Sequence, residues 1–404
     1  MNESGPKKPS AFGLSKNVLS MGAVSFLNDL SSDMIFPFIP AFVTTVLGGS
    51  AAFVGVIEGV ADATQSILKI ISGRFSDRWK RRKPFLVLGY GLSAFSKPLL
   101  SLAASPWHVL AVRFLDRVGK GTRDAPRDAL ISFSSARNVI GRAFGFHRGS
   151  DTLGAAIGPV IALLVLPLVG NNLRILFLLS FVASFIAVVI LAFTVREVSD
   201  GNTVPGAPRA STLPKKFRFR SLGIPFLVFL ASATILNLGR VSEAFLLLRA
   251  QDIGIALMFL PLVYVVYNVS FAVFSTPAGI LSDHIGHRNT FMVGMLVFST
   301  SALLFGNSAS IASIWVLMGL YGLYSALTEG VGKAIITDLV SEDSLGTAFG
   351  IYSAFTGIAL LPASVIFGVL WQKLGPENAF YYSALLGSLS LIVFLFLRIK
   401  KHEF

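Results

Sequence analysis

The sequence predicts an all-α polytopic membrane protein of about twelve transmembrane helices, arranged as two pseudo-symmetric six-helix bundles. Three observations carry that prediction. The 404 residues are 53% hydrophobic and only 14% charged, with 35 Phe, a balance too apolar for a soluble globular chain. Hydrophobic stretches of about 20 residues, each long enough to cross a bilayer, recur from one end to the other. The second half repeats the landmarks of the first in the same order.

Met1–Ser15 is polar and precedes a full-length span, so a cleavable signal peptide is not expected. Span 1 covers Lys16 to Val46 and contains Asn28, Asp29, Ser32, Asp33, Pro37 and Pro40. Span 2, Ala51–Phe75, carries Glu58, Asp62, Gln65 and Lys69 on one narrow stripe. A basic loop, Ser76–Pro84, leads to span 3 at Phe85–Ala104. Span 4 is Pro106–Phe133, span 5 Arg142–Leu166 and span 6 Leu173–Val195. Residues 196–221 are polar, with Pro205, Pro208, Pro214 and a basic run at Lys215, Lys216, Arg218 and Arg220, and read as a linker. Six more spans follow near 222–250, 256–280, 290–308, 311–336, 345–372 and 378–399. The expected organisation is therefore a bundle at 1–195, a linker at 196–221 and a bundle at 222–404.

The net charge of +13 would suggest nucleic acid in a soluble protein. Here Lys7, Lys8, Lys16, the loop Arg78–Lys83, Arg137, the linker, Arg288 and Arg398–Lys401 all fall on one side of the predicted spans. The opposite loops (Gly48–Ser50, Asn171–Asn172, Gly306–Ser310) are nearly uncharged. The bias is a topology signal that places both termini in the cytoplasm, and no nucleic-acid partner is expected.

The internal echo is specific. Gly73…Asp77–Arg78 is answered by Gly279…Asp283–His284, and Arg82 by Arg288. Gly119–Lys120 matches Gly332–Lys333, with Asp116 opposite Glu329. Gly141…Gly145 matches Gly346…Gly350, and Asn28 with Asp33 is answered by Asn237 with Glu243.

The most unusual stretch is RFLDRVGKGTRDAPRD, Arg113–Asp128. Its eight charges fall on one helical arc of roughly 140°, opposite Phe114, Leu115, Val118, Thr122 and Ala125. A charge facing lipid is costly, so this arc must face water, partner helices or a ligand. Its bases exceed what Asp116 and Asp124 neutralise, and the surplus calls for acids from spans 1, 2 or 5, or for an anionic substrate.

These motifs resemble the major facilitator superfamily over nearly the whole chain. The loop Gly73-x-x-x-Asp77-Arg78-x-x-Arg81-Arg82 is similar to the family's loop signature, with Lys80 where a glycine is usual. Span 4 resembles the pattern Arg-x-x-Gln-Gly-x-Gly-x-Gly through Arg113, Gly119 and Gly121, with Asp116 and Arg117 departing from it. Span 5 resembles an exporter-associated pattern at Gly145 and Gly154-x-x-x-Gly158-Pro159. LNDLSSDMIFPFIP and GKGTRDAPRDALI look like bacterial drug-exporter-like permeases. The resemblance implies two bundles that rock about a central cavity, coupled to a proton or other ion gradient.

Candidate roles follow. Asp29, Asp33, Glu58, Asp62, Asp151, Glu243 and Glu329 are intramembrane acids able to couple a proton, or else to sit in permanent salt bridges. Asp33 is the first choice among them because Glu243 echoes it. Glu58 and Asp62 read first as packing glue to bases of a neighbouring helix, and His147, Arg148 and Asp151 as structural residues that could join a relay. Substrate-cavity candidates are Asn28, Arg113, Asp116, Arg117, Lys120 and Arg148 in the first half, with Asn237, Arg240 and Lys333 in the second. Lys120 and Lys333 lead this set, since Arg113 is expected to hold a fixed partner. The cytoplasmic gate, holding that side shut in the outward-facing state, would comprise Gly73, Asp77, Arg78 and Arg82, with Asp124 or Asp128 pairing with Arg78, and Asp283 and Arg288 in the second half. Asp77 would accept from the N-terminus of a neighbouring helix, span 11 by family resemblance. Gly145, Gly154, Gly158 and Pro159 read first as a close helix–helix seam, and functionally as that seam used as a pivot between the bundles.

An enzyme is not expected. The five His are scattered over both halves, there is no Cys, and no HExxH, GxSxG or P-loop is present, so neither a metal site nor a cofactor is indicated. The expected function is a monomeric secondary transporter of a bacterial inner (plasma) membrane. Its partners would be the lipid bilayer, a proton or other coupling ion, and a small amphipathic molecule that it exports. An organic-anion carrier is the alternative, and a non-transporting receptor a lesser one.

Overall fold

The computed structural model describes residues 14–79, 81–135, 139–197, 222–340 and 344–397, without the side chains at 77, 140, 141, 345 and 346. The linker's basic run, Lys7, Lys8, Arg137 and Arg398–Lys401 lie outside them. The first half comprises α1 (Lys16–Ile35, continued to residue 46), α2 (Ala51–Trp79), α3 (Lys83–Ser101), α4 (Pro106–Phe133), α5 (Ile140–Leu168) and α6 (Leu173–Thr194). The second comprises α7 (Gly223–Asp252, interrupted), α8 (Leu260–Ile285), α9 (His287–Asn307), α10 (Ile311–Leu339), α11 (Leu345–Leu374) and α12 (Pro376–Leu395). No strand occurs among the described residues.

Local sequence explains the two irregular helices. The Ser15 hydroxyl caps α1 by accepting from the Val18 amide. Pro37 and Pro40 lack amide hydrogens, so beyond Ile35 the helix proceeds through a 3₁₀ turn, a short α segment and a π turn. α7 breaks between Gly239 and Glu243, and Ser242 caps the second segment by accepting from the Ala244 amide. The Tyr321 hydroxyl satisfies the freed Val241 carbonyl over 2.6 Å.

Packing repeats with the sequence. In the first half α1 packs on α5 and α6, α4 on α2 and α3, and α3 on α6; in the second α7 packs on α11 and α12, α10 on α8 and α9, and α9 on α12. The buried hydroxyls repeat too: Ser31 of α1 donates to the Ser180 carbonyl of α6, and Ser232 of α7 donates to the Ser390 carbonyl of α12. The halves meet chiefly along α2 against α11 and α5 against α8. Nine of the described helices are long and apolar enough to cross a membrane. α4, with its eight charges, is not among them. Large apolar side chains point outward, Leu168 and Phe193 being 84% and 85% exposed, as a lipid-facing surface requires.

Candidate functional site

A cavity of about 760 Å³ lies between the halves. Its walls run from Asp62, Lys120 and Glu243 near mid-helix to Ile70, Lys333 and Gly350, toward the end of the bundle at which α1 starts. A second chamber of about 260 Å³ shares Asp62, Lys120, Glu243 and Glu329 with it and lies deeper. At the far end the path is filled. Pro37–Val43 are buried, and this continuation of α1 packs against α8 and the second segment of α7. The cavity is thus open at the end where α1 starts and closed at the other.

The first-half wall is charged. Arg113 donates to both carboxylate oxygens of Glu58, over 3.0 and 3.1 Å, and lies 3.7 Å from Asp116. Arg117 donates to Gln65 over 3.3 Å, and Gln65 in turn donates to Asp124 over 3.1 Å. Lys120 reaches the chamber with no hydrogen bond or ion pair among the described residues, and the same holds for Asp62. Of the basic surplus read from α4, Arg113 is answered by Glu58 of α2, and Lys120 is not answered by an ion pair among the described residues. Around the deeper chamber stand seven carboxylates and five bases, counting all its lining residues. Asp29 and Asp33 are not locked to an arginine of α4: Asn28 donates to Asp29 over 3.1 Å, and Tyr264 donates to Asp33 over 3.2 Å.

The second-half wall combines aromatic rings with four charges, Arg240, Glu243, Glu329 and Lys333. Tyr264 and Tyr267 of α8 stack with centroids 6.1 Å apart, and Tyr267 donates to Glu243 over 3.2 Å. Tyr324, Tyr352, Phe291 and Phe349 continue the lining toward the open end. Arg240, at the break in α7, lies 3.2 Å from Glu243 and 3.8 Å from Glu329. Lys333 is exposed on this wall, while Asn237 lines it with its amide donated to the Ala233 carbonyl. Arg148 reaches across from α5, its guanidinium 6.0 Å from the Phe271 ring centroid. Asp151 lies apart from this set, paired with His147 at 3.5 Å.

The charged arc of α4 meets partner helices as well as the cavity, both among the alternatives read for it. Arg123 lines the deeper chamber while bonding Ser93 and stacking on Tyr90 at 4.2 Å, and Ala125 from the opposite arc lines the larger cavity. A helix with neighbours on several sides presents polar residues to more than one of them. Arg78, expected to pair with Asp124 or Asp128 when the gate is shut, is exposed with this end open, and both acids are taken by Arg127 on the same helix, at 3.6 and 3.0 Å. The glycine seam of α5 is not between the halves. A Cβ at Gly154 or Gly158 would collide with backbone atoms of α1 (Phe26 O, Leu30 O), and one at Gly145 would meet nothing. Pro159 sits inside the same helix. The inter-half seam lies instead on α2 and α11, where a Cβ at Gly59 would stand 2.8 Å from the Leu361 carbonyl and one at Gly368 2.8 Å from that of Ala51.

The remaining gate candidates bond within their own halves. Gly73 packs on Ala125, Arg82 covers the Phe133 ring at 4.3 Å, Asp283 lies 3.9 Å from His287, and Arg288 donates to the Leu395 carbonyl over 3.2 Å. The Asp77 side chain lies outside the described residues. The carboxylate that does cap a helix here is Glu197, which accepts from the Arg82 and Lys83 amides over 2.9 Å each at the start of α3.

Sequence reasoning missed Glu197, Tyr264, Tyr267 and Lys97. Lys97 is 2% exposed in α3, and its ammonium donates to the Ser93 carbonyl over 3.1 Å. A lone lysine inside an apolar span was the available signal.

Comparison with known proteins gives a consistent result. The chain matches the Major Facilitator Superfamily family over residues 21–247 and 230–403. It is 37% identical to an uncharacterised MFS-type transporter of Methanocaldococcus jannaschii, over 95% of each chain. It is 22% identical to the class H tetracycline resistance protein of Pasteurella multocida, over 96% of each. Among solved structures, a POT family transporter in complex with 5-aminolevulinic acid superposes with a TM-score of 0.78 at 15% identity, over 96% of each chain.

Proposed function

The chain belongs to the major facilitator superfamily, and from that premise we propose that it exports a small amphipathic organic molecule in exchange for protons, by alternating access between its two halves. The observation that carries this reading is the unlike chemistry of the two cavity walls. A face on α1, α2 and α4 that is almost wholly charged and polar stands opposite a face where the rings of α8, α10 and α11 accompany Arg240, Glu243, Glu329 and Lys333. A ligand with a polar group and a flat apolar body satisfies both at once. Export is supported by the resemblance to a tetracycline resistance protein.

Asp33 is the proton carrier in this reading. It lies in the chamber, closes no ion pair with an arginine among the described residues, and contacts the other half through Tyr264. The units that rock are the bundles at 1–195 and 222–404, joined by the 196–221 linker. The excess of Lys and Arg toward the open end supports a cytoplasmic placement of that end, in a bacterial inner (plasma) membrane. The present conformation is then inward-facing, and the gate residues around Asp77 and Arg78 engage when that end closes. A single chain contains both repeats, so it acts as a monomer.

One observation favours an organic anion instead. Lys69, Lys120 and Lys333 all line the larger cavity with no ion pair among the described residues. The carboxylate excess of the deeper chamber weighs against it. Acid-loaded proteoliposomes supplied with tetracycline, ethidium or carboxyfluorescein separate the readings. Concentration of tetracycline or ethidium supports the first and of carboxyfluorescein the second; movement of none of them, with no substrate-linked proton flux, counts against both.

A further inference from the structure

We propose that Tyr264 is a positioning residue that reports the charge of Asp33 to the second half and holds the carrier still when it has neither proton nor substrate. The inference rests on the assignment of Asp33 as the proton carrier. Its observation is a chain of contacts through both halves: Asp33 of α1 accepts from the Tyr264 hydroxyl over 3.2 Å, Tyr264 stacks on Tyr267, and Tyr267 donates to Glu243 over 3.2 Å. Asp33 and Glu243 are the acids that the internal repeat places opposite each other, and a stacked tyrosine pair on one helix joins them.

Tyr264 is held for this task. Its ring contacts Phe36, 5.1 Å away on α1, and its backbone carbonyl accepts from the Asn268 amide over 3.2 Å. The bond therefore lies beside the filled far end of the path, and breaking it removes the polar tie between α8 and α1 where that end must open, leaving the ring contact with Phe36.

The chemistry supplies the switch. A hydroxyl bonds more strongly to a carboxylate than to a neutral carboxylic acid. Protonating Asp33 weakens the link, and a polar substrate group occupying the same oxygen releases Tyr264. With neither present the link is intact. An exchanger needs this rule, because an empty, unprotonated carrier that reorients lets substrate and proton cross independently. The other charges around Asp33 are Asp29 on its own helix, Glu58 and Asp62 of α2, Lys97 of α3, Arg113, Asp116, Arg117, Lys120 and Arg123 of α4, Arg148 of α5, and Glu243 and Glu329 across the chamber. None of the bases closes an ion pair with it among the described residues.

The test uses the purified full chain with cysteine spin labels at the exposed Val46 and Met258, with distances measured at acid and alkaline pH without substrate. Wild type should hold the far end closed at alkaline pH and open it on acidification. Tyr264→Phe, which removes one oxygen, should raise the open-to-closed ratio at alkaline pH by roughly tenfold and flatten the pH response. Adding Asp33→Asn should change little more. In liposomes under a pH gradient without substrate, Tyr264→Phe should leak protons faster than wild type. If Asp33→Asn flattens the response but Tyr264→Phe keeps both the wild-type response and the wild-type leak, the latch is wrong and Asp33 stands. If Asp33→Asn itself keeps the wild-type response, the assignment of Asp33 fails and the latch with it.

Discussion

Arg113 of α4 grips both oxygens of Glu58 on α2, over 3.0 and 3.1 Å, with side chains only 7% and 4% exposed. This pair braces the two helices that carry most of the charged wall. It also consumes Glu58, leaving Asp62, one turn along the same helix, free to face the cavity.

The brace predicts an asymmetry. Arg113→Met alone leaves a buried carboxylate without its cation and should destabilise the protein by about 3–5 kcal/mol, read as a fall in melting temperature. The double change Arg113→Met with Glu58→Met should recover much of that loss, because two apolar groups then pack together. A double variant no more stable than the single one would contradict the assignment.

How far α4 was legible in the sequence is visible at two residues. The helical projection put Lys120 on the charged arc and Ala125 opposite, and both line the same cavity. Projection tells which residues share a face; it does not tell which neighbours surround the helix. The duplication was readable because both halves keep their loop and helix landmarks. The seam was half readable. Glycines announce a close approach, and only packing reveals that Gly158 meets α1 while Gly59 meets α11. Tyr264 and Tyr267 sit in the apolar run LPLVYVVYN, where aromatic residues three apart look like ordinary packing, so their hydroxyl partners could not be foreseen. The Ser242–Glu243 pair, a helix-cap signal inside the seventh span, could have revealed the break in α7.

Lys120 should behave as a cavity residue. Of cysteines placed singly at Lys120 and Val118, only the first should react with a hydrophilic thiol reagent, since Lys120 lines both chambers and Val118 neither. Lys120→Ala should weaken an anionic ligand by about 1–3 kcal/mol and leave a cationic one unchanged or bound more tightly. Equal labelling at the two positions would defeat the cavity placement.

Glycines on α5 should differ according to what they meet. Gly158→Ala drives a methyl into the backbone of α1 and should cost about 1–3 kcal/mol. Gly145→Ala enters open space and should stay within about 0.5 kcal/mol of wild type. Melting temperatures of the two variants check this, and equal losses would remove the distinction.

The central claim is that proton and substrate are exchanged through Asp33. The most direct measurement compares wild type and Asp33→Asn in acid-loaded proteoliposomes, using tetracycline as the probe and reading both uphill accumulation and exchange at zero gradient. Wild type should do both; Asp33→Asn should exchange tetracycline yet fail to accumulate it, because a neutral amide mimics the permanently protonated acid. Accumulation by Asp33→Asn at the wild-type rate would contradict the account.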